Sequence, residues 1–142
     1  MQSAVRWTGT GLFSLLALFF LWFGYVYASV DEPLWFHAAA VPDSAREAVR
    51  PLYFALMTLI GGSSFALGLL ALFTTATAIR KGSRAAALAV SISYAIALVL
   101  AAITAERLAR ATGAPTSWHV MGVLLAVNVA ALGASLTART NR

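Results

Sequence analysis

Hydrophobic residues fall in four long blocks, and charged residues fall between them. Trp7 to Val30, Pro51 to Ile79, Ala85 to Ala105 and Ala111 to Ala138 contain no Asp, Glu, Lys or Arg. The blocks run for 24, 29, 21 and 28 residues and hold 102 of the 142 positions. A helix that crosses a bilayer needs about 20 predominantly apolar residues, and each block meets that length. A transmembrane β-barrel would show short strands alternating polar with apolar residues instead. The pattern predicts an all-α integral membrane four-helix transmembrane bundle. It forms one domain over residues 1–142, with spans at about 9–29, 51–79, 85–106 and 117–138.

Punctuating residues refine the helix ends. Pro51 suits a first helical turn, where its missing N–H has no partner to lose. Arg80-Lys81-Gly82-Ser83-Arg84 reads as a tight turn. The third helix closes near Ala105 or continues through Glu106 and Arg107 to Arg110. Thr112-Gly113-Ala114-Pro115 then breaks the chain, and Thr116 or Ser117 supplies an N-cap for the fourth helix. Between the first two spans, Leu34, Trp35 and Phe36 make the loop locally apolar. Asp43-Ser44-Ala45-Arg46-Glu47 is a helix-start pattern. Together they predict a short interfacial helix in the first extracytoplasmic loop, lying on the membrane or capping the bundle.

Composition closes off other classes. The chain is 61% hydrophobic and 11% charged, against about 25% charged for a soluble domain. Soluble and intrinsically disordered folds are both excluded. The absence of cysteine removes disulfides, thiol redox chemistry, Fe–S clusters and thiolate-bound zinc. A net charge of +5 would suggest nucleic acid in a soluble protein. Here the basic residues sit at helix ends, so the expected surroundings are a lipid bilayer and no nucleic acid.

Orientation follows from lysine and arginine. Arg6, Arg80, Lys81, Arg84, Arg139 and Arg142 fall on one side. Arg46, Arg50, Arg107 and Arg110 fall on the other. Six against four predicts both termini inside. Arg6, the apolar run and Val26-Tyr27-Ala28 also resemble a cleavable signal peptide. The length of the run and its Trp22, Phe23, Tyr25 and Tyr27 favour a retained span. High alanine and nine arginines to one lysine point to a GC-rich bacterial genome, hence a multi-pass protein of the bacterial cytoplasmic (inner) membrane.

Small residues recur at spacing four. Ala85, Ala89, Ser93, Ala97, Ala101 and Ala105 line the third helix. Gly122, Ala126, Ala130 and Ala134 line the fourth. Such lines let membrane helices approach closely, either within the bundle or against a partner. Gly61-Gly62-Ser63-Ser64 marks the middle of the second helix as a close crossing or a broken helix at a ligand site.

Intramembrane ionisable groups are the usual mark of function, and no span carries one near its middle. That argues against a proton-coupled transporter. His37 and His119 lie near membrane edges, which argues against haem ligation. No metal-ligand spacing occurs, and no catalytic residue, metal or cofactor is assigned. Asn128 is the one amide inside a span. Arg50 opens the second helix and Glu106 closes the third at similar depth, so an Arg50–Glu106 pair would clamp two helix ends. The candidate ligand-binding set is Arg50, Tyr53, Tyr94, Glu106, His119 and Asn128. Tyr53, Tyr94 and Asn128 would lie inside the bundle, and Arg50, Glu106 and His119 would form a polar gate. Glu106 and His119 are the one credible acid–base pair.

The order of short motifs carries a family resemblance. A Gly-Leu-Phe-opened first helix has Phe-Gly near its end. Arg50-Pro51-Leu52-Tyr53 then opens the second helix, and Gly68-Leu69-Leu70-Ala71-Leu72 follows. Glu106-Arg107 closes the third helix, and Gly113-Ala114-Pro115 precedes the last. This layout resembles small four-helix bacterial membrane proteins of the broad DoxX-like group. The resemblance implies a four-helix bundle and, from some members, a subunit role in membrane redox systems. It carries over no site residue. Three functions are open: an accessory or assembly subunit of a larger membrane complex, or a homo-oligomer; a binder or carrier of a hydrophobic small molecule such as a quinone, isoprenoid or lipid; or a membrane enzyme using Glu106 and His119.

Overall fold

A computed structural model describes residues 2–137. Arg139, Arg142 and the Ala138 end of the fourth predicted span lie outside the described residues, as does the side chain of Arg6. The described residues form five α-helices: α1 (Gln2–Ala28), α2 (Trp35–Ala38), α3 (Arg46–Thr77), α4 (Arg84–Thr112) and α5 (His119–Thr137). Single 3-10 turns occupy Asp43–Ala45 and Ile79–Lys81, and no strand occurs among the described residues. Among the described residues, four helical segments are long and apolar enough to cross a membrane: Trp7–Ala28, Asp43–Lys81, Arg84–Thr112 and His119–Thr137. Leu15, Trp22, Leu59, Leu70, Phe73, Leu100 and Val123 are each more than half exposed on their outer faces. An apolar exterior of that extent suits hydrocarbon rather than water.

The helix ends follow local chemistry. α3 begins at Arg46, five residues ahead of the predicted start at Pro51. The Asp43–Glu47 start signal opens α3 itself, through one 3-10 turn, and does not form a separate helix. Arg46 closes on Asp43 at 2.9 Å and Arg50 reaches Glu47 at 3.9 Å, so ion pairs one turn apart span this entry. Pro51 is accommodated near the exposed start of the helix. The separate short helix is α2, built on the aromatic Trp35 and Phe36.

Ser83 caps α4 by accepting the Ala86 N–H at 3.3 Å. α4 runs to Thr112, beyond the predicted end near residue 106, and stops where Gly113 takes a left-handed conformation with φ +69°. α5 begins at His119, one residue later than a Ser117 N-cap would place it, and the Ser117 hydroxyl accepts the first helical N–H, that of His119, at 3.2 Å.

α1 organises the packing. It lies along α3 and also against α5, and α5 in turn packs on α4. α3 and α4 are joined by a tight turn yet share little contact. The α1–α3 seam is built on glycine. A Cβ added at Gly61 would lie 2.7 Å from the Gly24 carbonyl oxygen, and one at Gly68 would lie 2.8 Å from the Ala17 carbonyl oxygen. Only hydrogen side chains permit that backbone approach. α3 is continuous through Gly61 and Gly62, so the glycine pair marks a close crossing and not a break.

The centre is filled. Phe13, Leu16 and Phe20 of α1 meet Tyr94 and Leu98 of α4 and Ala131 of α5, and none of these side chains is more than 5% exposed. The Tyr94 ring stacks on Phe20 with centroids 4.9 Å apart and planes 5° from parallel. Large aromatic rings thus span the diagonal between α1 and α4.

α4 does not bury its small-residue line uniformly. Its buried positions are Ala87, Val90, Ser91, Tyr94 and Leu98, which follow steps of three and four. A strict spacing of four drifts about 40° per step on a helix of 3.6 residues per turn. Ala85, Ala89 and Ser93 are accordingly exposed, and Ala97, Ala101 and Ala105 are half-buried. α5 behaves alike: Ala126 and Ala130 are exposed, while Gly122 and Ala134 are half-buried.

Candidate functional site

The six candidate residues occupy three separate places. At the start of α3, Tyr53 holds the first loop. Its hydroxyl accepts the Leu34 N–H at 3.1 Å and lies 3.0 Å from His37 Nδ1. With one lone pair accepting the amide, the hydroxyl has its proton to give to Nδ1. With the hydroxyl as donor, His37 is the neutral Nε2–H tautomer. Burial holds the His37 imidazole below the ordinary histidine pKa. Tyr27 and Phe36 also pack against the His37 ring. Arg50 lies nearby, bonded to Glu47 and set 5.7 Å over the Phe54 ring. His37, Tyr53, Arg46 and Arg50 border a cleft of about 40 Å³. That volume suits a water molecule and not an organic ligand.

Glu106 sits at the end of α4, where Arg110 Nε donates to its Oε1 at 2.7 Å. The expected Arg50–Glu106 clamp does not form. Each partner is satisfied by a residue of its own helix, three or four positions away. His119 begins α5, exposed, with its ring stacked on Trp118 at 4.5 Å and its Nδ1 against the Ser117 hydroxyl. No hydrogen bond joins Glu106 to His119 among the described residues. Among those residues no three His, Asp or Glu side chains gather as a metal site.

Tyr94 and Asn128 lie in the closed core, 0% and 1% exposed. Asn128 Nδ2 donates to the Ser91 carbonyl at 3.0 Å, which ties α5 to α4. The Tyr94 hydroxyl, Asn128 Oδ1 and the Thr75 hydroxyl are buried without hydrogen-bond partners among the described residues. The structure therefore brings Tyr94 and Asn128 into one core, brings Tyr53 to the loop, and leaves Arg50, Glu106 and His119 apart at the rim.

Sequence reasoning passed over a larger feature. A shallow pocket of about 400 Å³ opens at the end of α4, lined by Ala102, Ile103, Glu106, Arg107, Arg110 and Trp118. Of these only Glu106 belongs to the candidate set. The missed signal was the spacing Ile103-x-x-Glu106-Arg107-x-x-Arg110, which puts two arginines on one helix face one turn above an apolar residue.

Comparison with family models, with curated proteins and with solved structures returned no match.

Proposed function

We propose that this protein is a small non-catalytic membrane subunit that packs sideways against a larger membrane complex. One observation carries the reading. The bundle seals its own interior, while α4 turns Ala85, Ala89 and Ser93 outward. The α1–α3 seam shows what small residues do in this fold, since it brings two backbones into contact. Exposed α4 residues of the same kind are available for the same use. The absence of intramembrane charge agrees with a role that needs no proton coupling.

Finer features belong to the same proposal. The termini face the cytoplasm of a bacterial inner membrane, on the count of basic residues. α2 rests at the opposite interface, with Trp35 70% exposed and free to enter the headgroup layer. The four-helix layout and the Arg50-Pro51-Leu52-Tyr53 opening support kinship with the DoxX-like group. A carrier with its ligand among the four helices finds less support, because Tyr94 and Asn128 line neither pocket. Catalysis by Glu106 and His119 finds less still, because each is engaged within its own segment.

Native mass spectrometry of the protein, gently extracted from its own membranes, tests the proposal. A fixed mass increment from a second polypeptide is expected. A bare monomer, or a monomer retaining one small hydrophobic molecule and no polypeptide, would overturn it.

A further inference from the structure

The rim pocket at the α4–α5 corner has the chemistry of a lipid headgroup site. We propose that it binds the phosphate of an anionic membrane amphiphile, with the acyl chain lying down the outer face of α4. The pocket holds about 400 Å³ and is shallow and open. Its upper wall carries Arg107 and Arg110, and Glu106 is the one acid among its lining residues. Arg110 spends only its Nε on Glu106, which leaves its terminal nitrogens to donate elsewhere. Arg107 is exposed and has no ion pair among the described residues. Two guanidinium groups against one carboxylate leave the pocket a net positive charge, and the planar donor forks match phosphate oxygens.

The floor is apolar. Ile103 and Ala102 lie below the arginines, and exposed Val99 and Ile96 continue the line of Ile103, four and seven residues earlier on the same helix face. A charged head above an aliphatic track at a membrane boundary selects an amphiphile over a free anion.

The corner is held in shape without a ligand. Thr116 donates its hydroxyl to the Ala105 carbonyl at 2.7 Å, tying the loop back to α4 beside the pocket. Trp118 folds over the first turn of α5, where a Cβ on Gly122 would lie 3.0 Å from the indole. That places an interface-seeking ring as the side wall.

The full-length protein in neutral detergent, mixed with equimolar phosphatidylglycerol and phosphatidylcholine, provides the test by native mass spectrometry. Wild type is expected to retain phosphatidylglycerol in preference. Arg107→Gln and Arg110→Gln are each expected to lower that preference about fivefold, and Arg107→Lys, which keeps the charge but loses the planar fork, to restore only part of it. Both arginines are exposed, and an unchanged helical circular dichroism spectrum would show that the variants fold. Millimolar inorganic phosphate is expected to leave the retained lipid in place. Equal retention of the two lipids, a preference unchanged in both arginine variants, or displacement of the lipid by inorganic phosphate would each overturn the proposal. The result is independent of whether a partner polypeptide is found.

Discussion

Gly24 and Gly61 face each other across α1 and α3 so closely that a methyl group on either would press into the other's backbone. Gly62, the next residue, has nothing within 4 Å of where its Cβ would be. Two adjacent glycines therefore carry opposite predictions. Gly61→Ala is expected to destabilise the bundle by about 1–3 kcal/mol, the range for forced overpacking. Gly62→Ala is expected to cost nothing and to add up to about 1 kcal/mol from helix propensity. Thermal unfolding in detergent, followed by circular dichroism, separates the two. Equal effects would contradict the seam.

Tyr94 is stacked on Phe20, but its hydroxyl has no hydrogen-bond partner among the described residues. The ring, rather than the oxygen, is what the core uses. Tyr94→Phe keeps the stack and removes a buried unpaired group, so stability is expected to hold or to rise by about 1 kcal/mol. Tyr94→Ala empties the diagonal between α1 and α4 and is expected to cost about 3–5 kcal/mol. A marked loss in Tyr94→Phe would show that the hydroxyl has a ligand or a hydrogen-bond partner in the membrane.

The His37–Tyr53 clasp is expected to respond to pH. Burial lowers the imidazole pKa in the folded protein, so folding favours the neutral ring. The stability it contributes is fully present above the ordinary histidine pKa of about 6.5 and is lost as the pH falls through the lowered value. Hydrogen exchange at the Leu34 amide reads this directly, because that N–H is held by Tyr53. Protection is expected to be constant above about pH 6.5 and to fall as the pH drops below it in the wild type. His37→Gln, which cannot titrate, is expected to show no such fall, and a persistent fall would place the titrating group elsewhere.

The four long apolar helices were legible in the sequence because charge is so costly in hydrocarbon that its absence over 21 residues or more commonly marks a helix able to cross a membrane. The ends were less legible. Asp43 to Glu47 signalled a helix start correctly, but nothing local to those residues says whether the helix stops again before Pro51. Glycine content along α3 pointed to a close crossing. It took the packing of α1 to distinguish Gly61, which meets Gly24, from Gly62, which faces outward. The proposed Arg50–Glu106 clamp failed for a general reason. Long side chains at helix ends find partners one turn away, here Glu47 and Arg110, before they find partners on another helix. Trp118 carries no sequence sign of being a pocket wall, because Arg107 and Arg110 reach it only through the fold of the loop at residues 113–117.

The central claim is that the outward small residues of α4 meet another membrane helix. Because the chain has no cysteine, Ala89→Cys introduces a unique thiol on that face. Leu15→Cys places one on α1, where Leu15 is 58% exposed. Thiol-specific crosslinking in native membranes provides the measurement. The account predicts one adduct of fixed mass from Ala89→Cys, containing a second membrane polypeptide at a single stoichiometry, and none of that mass from Leu15→Cys. No adduct from Ala89→Cys, or the same scatter of products from both positions, would contradict it.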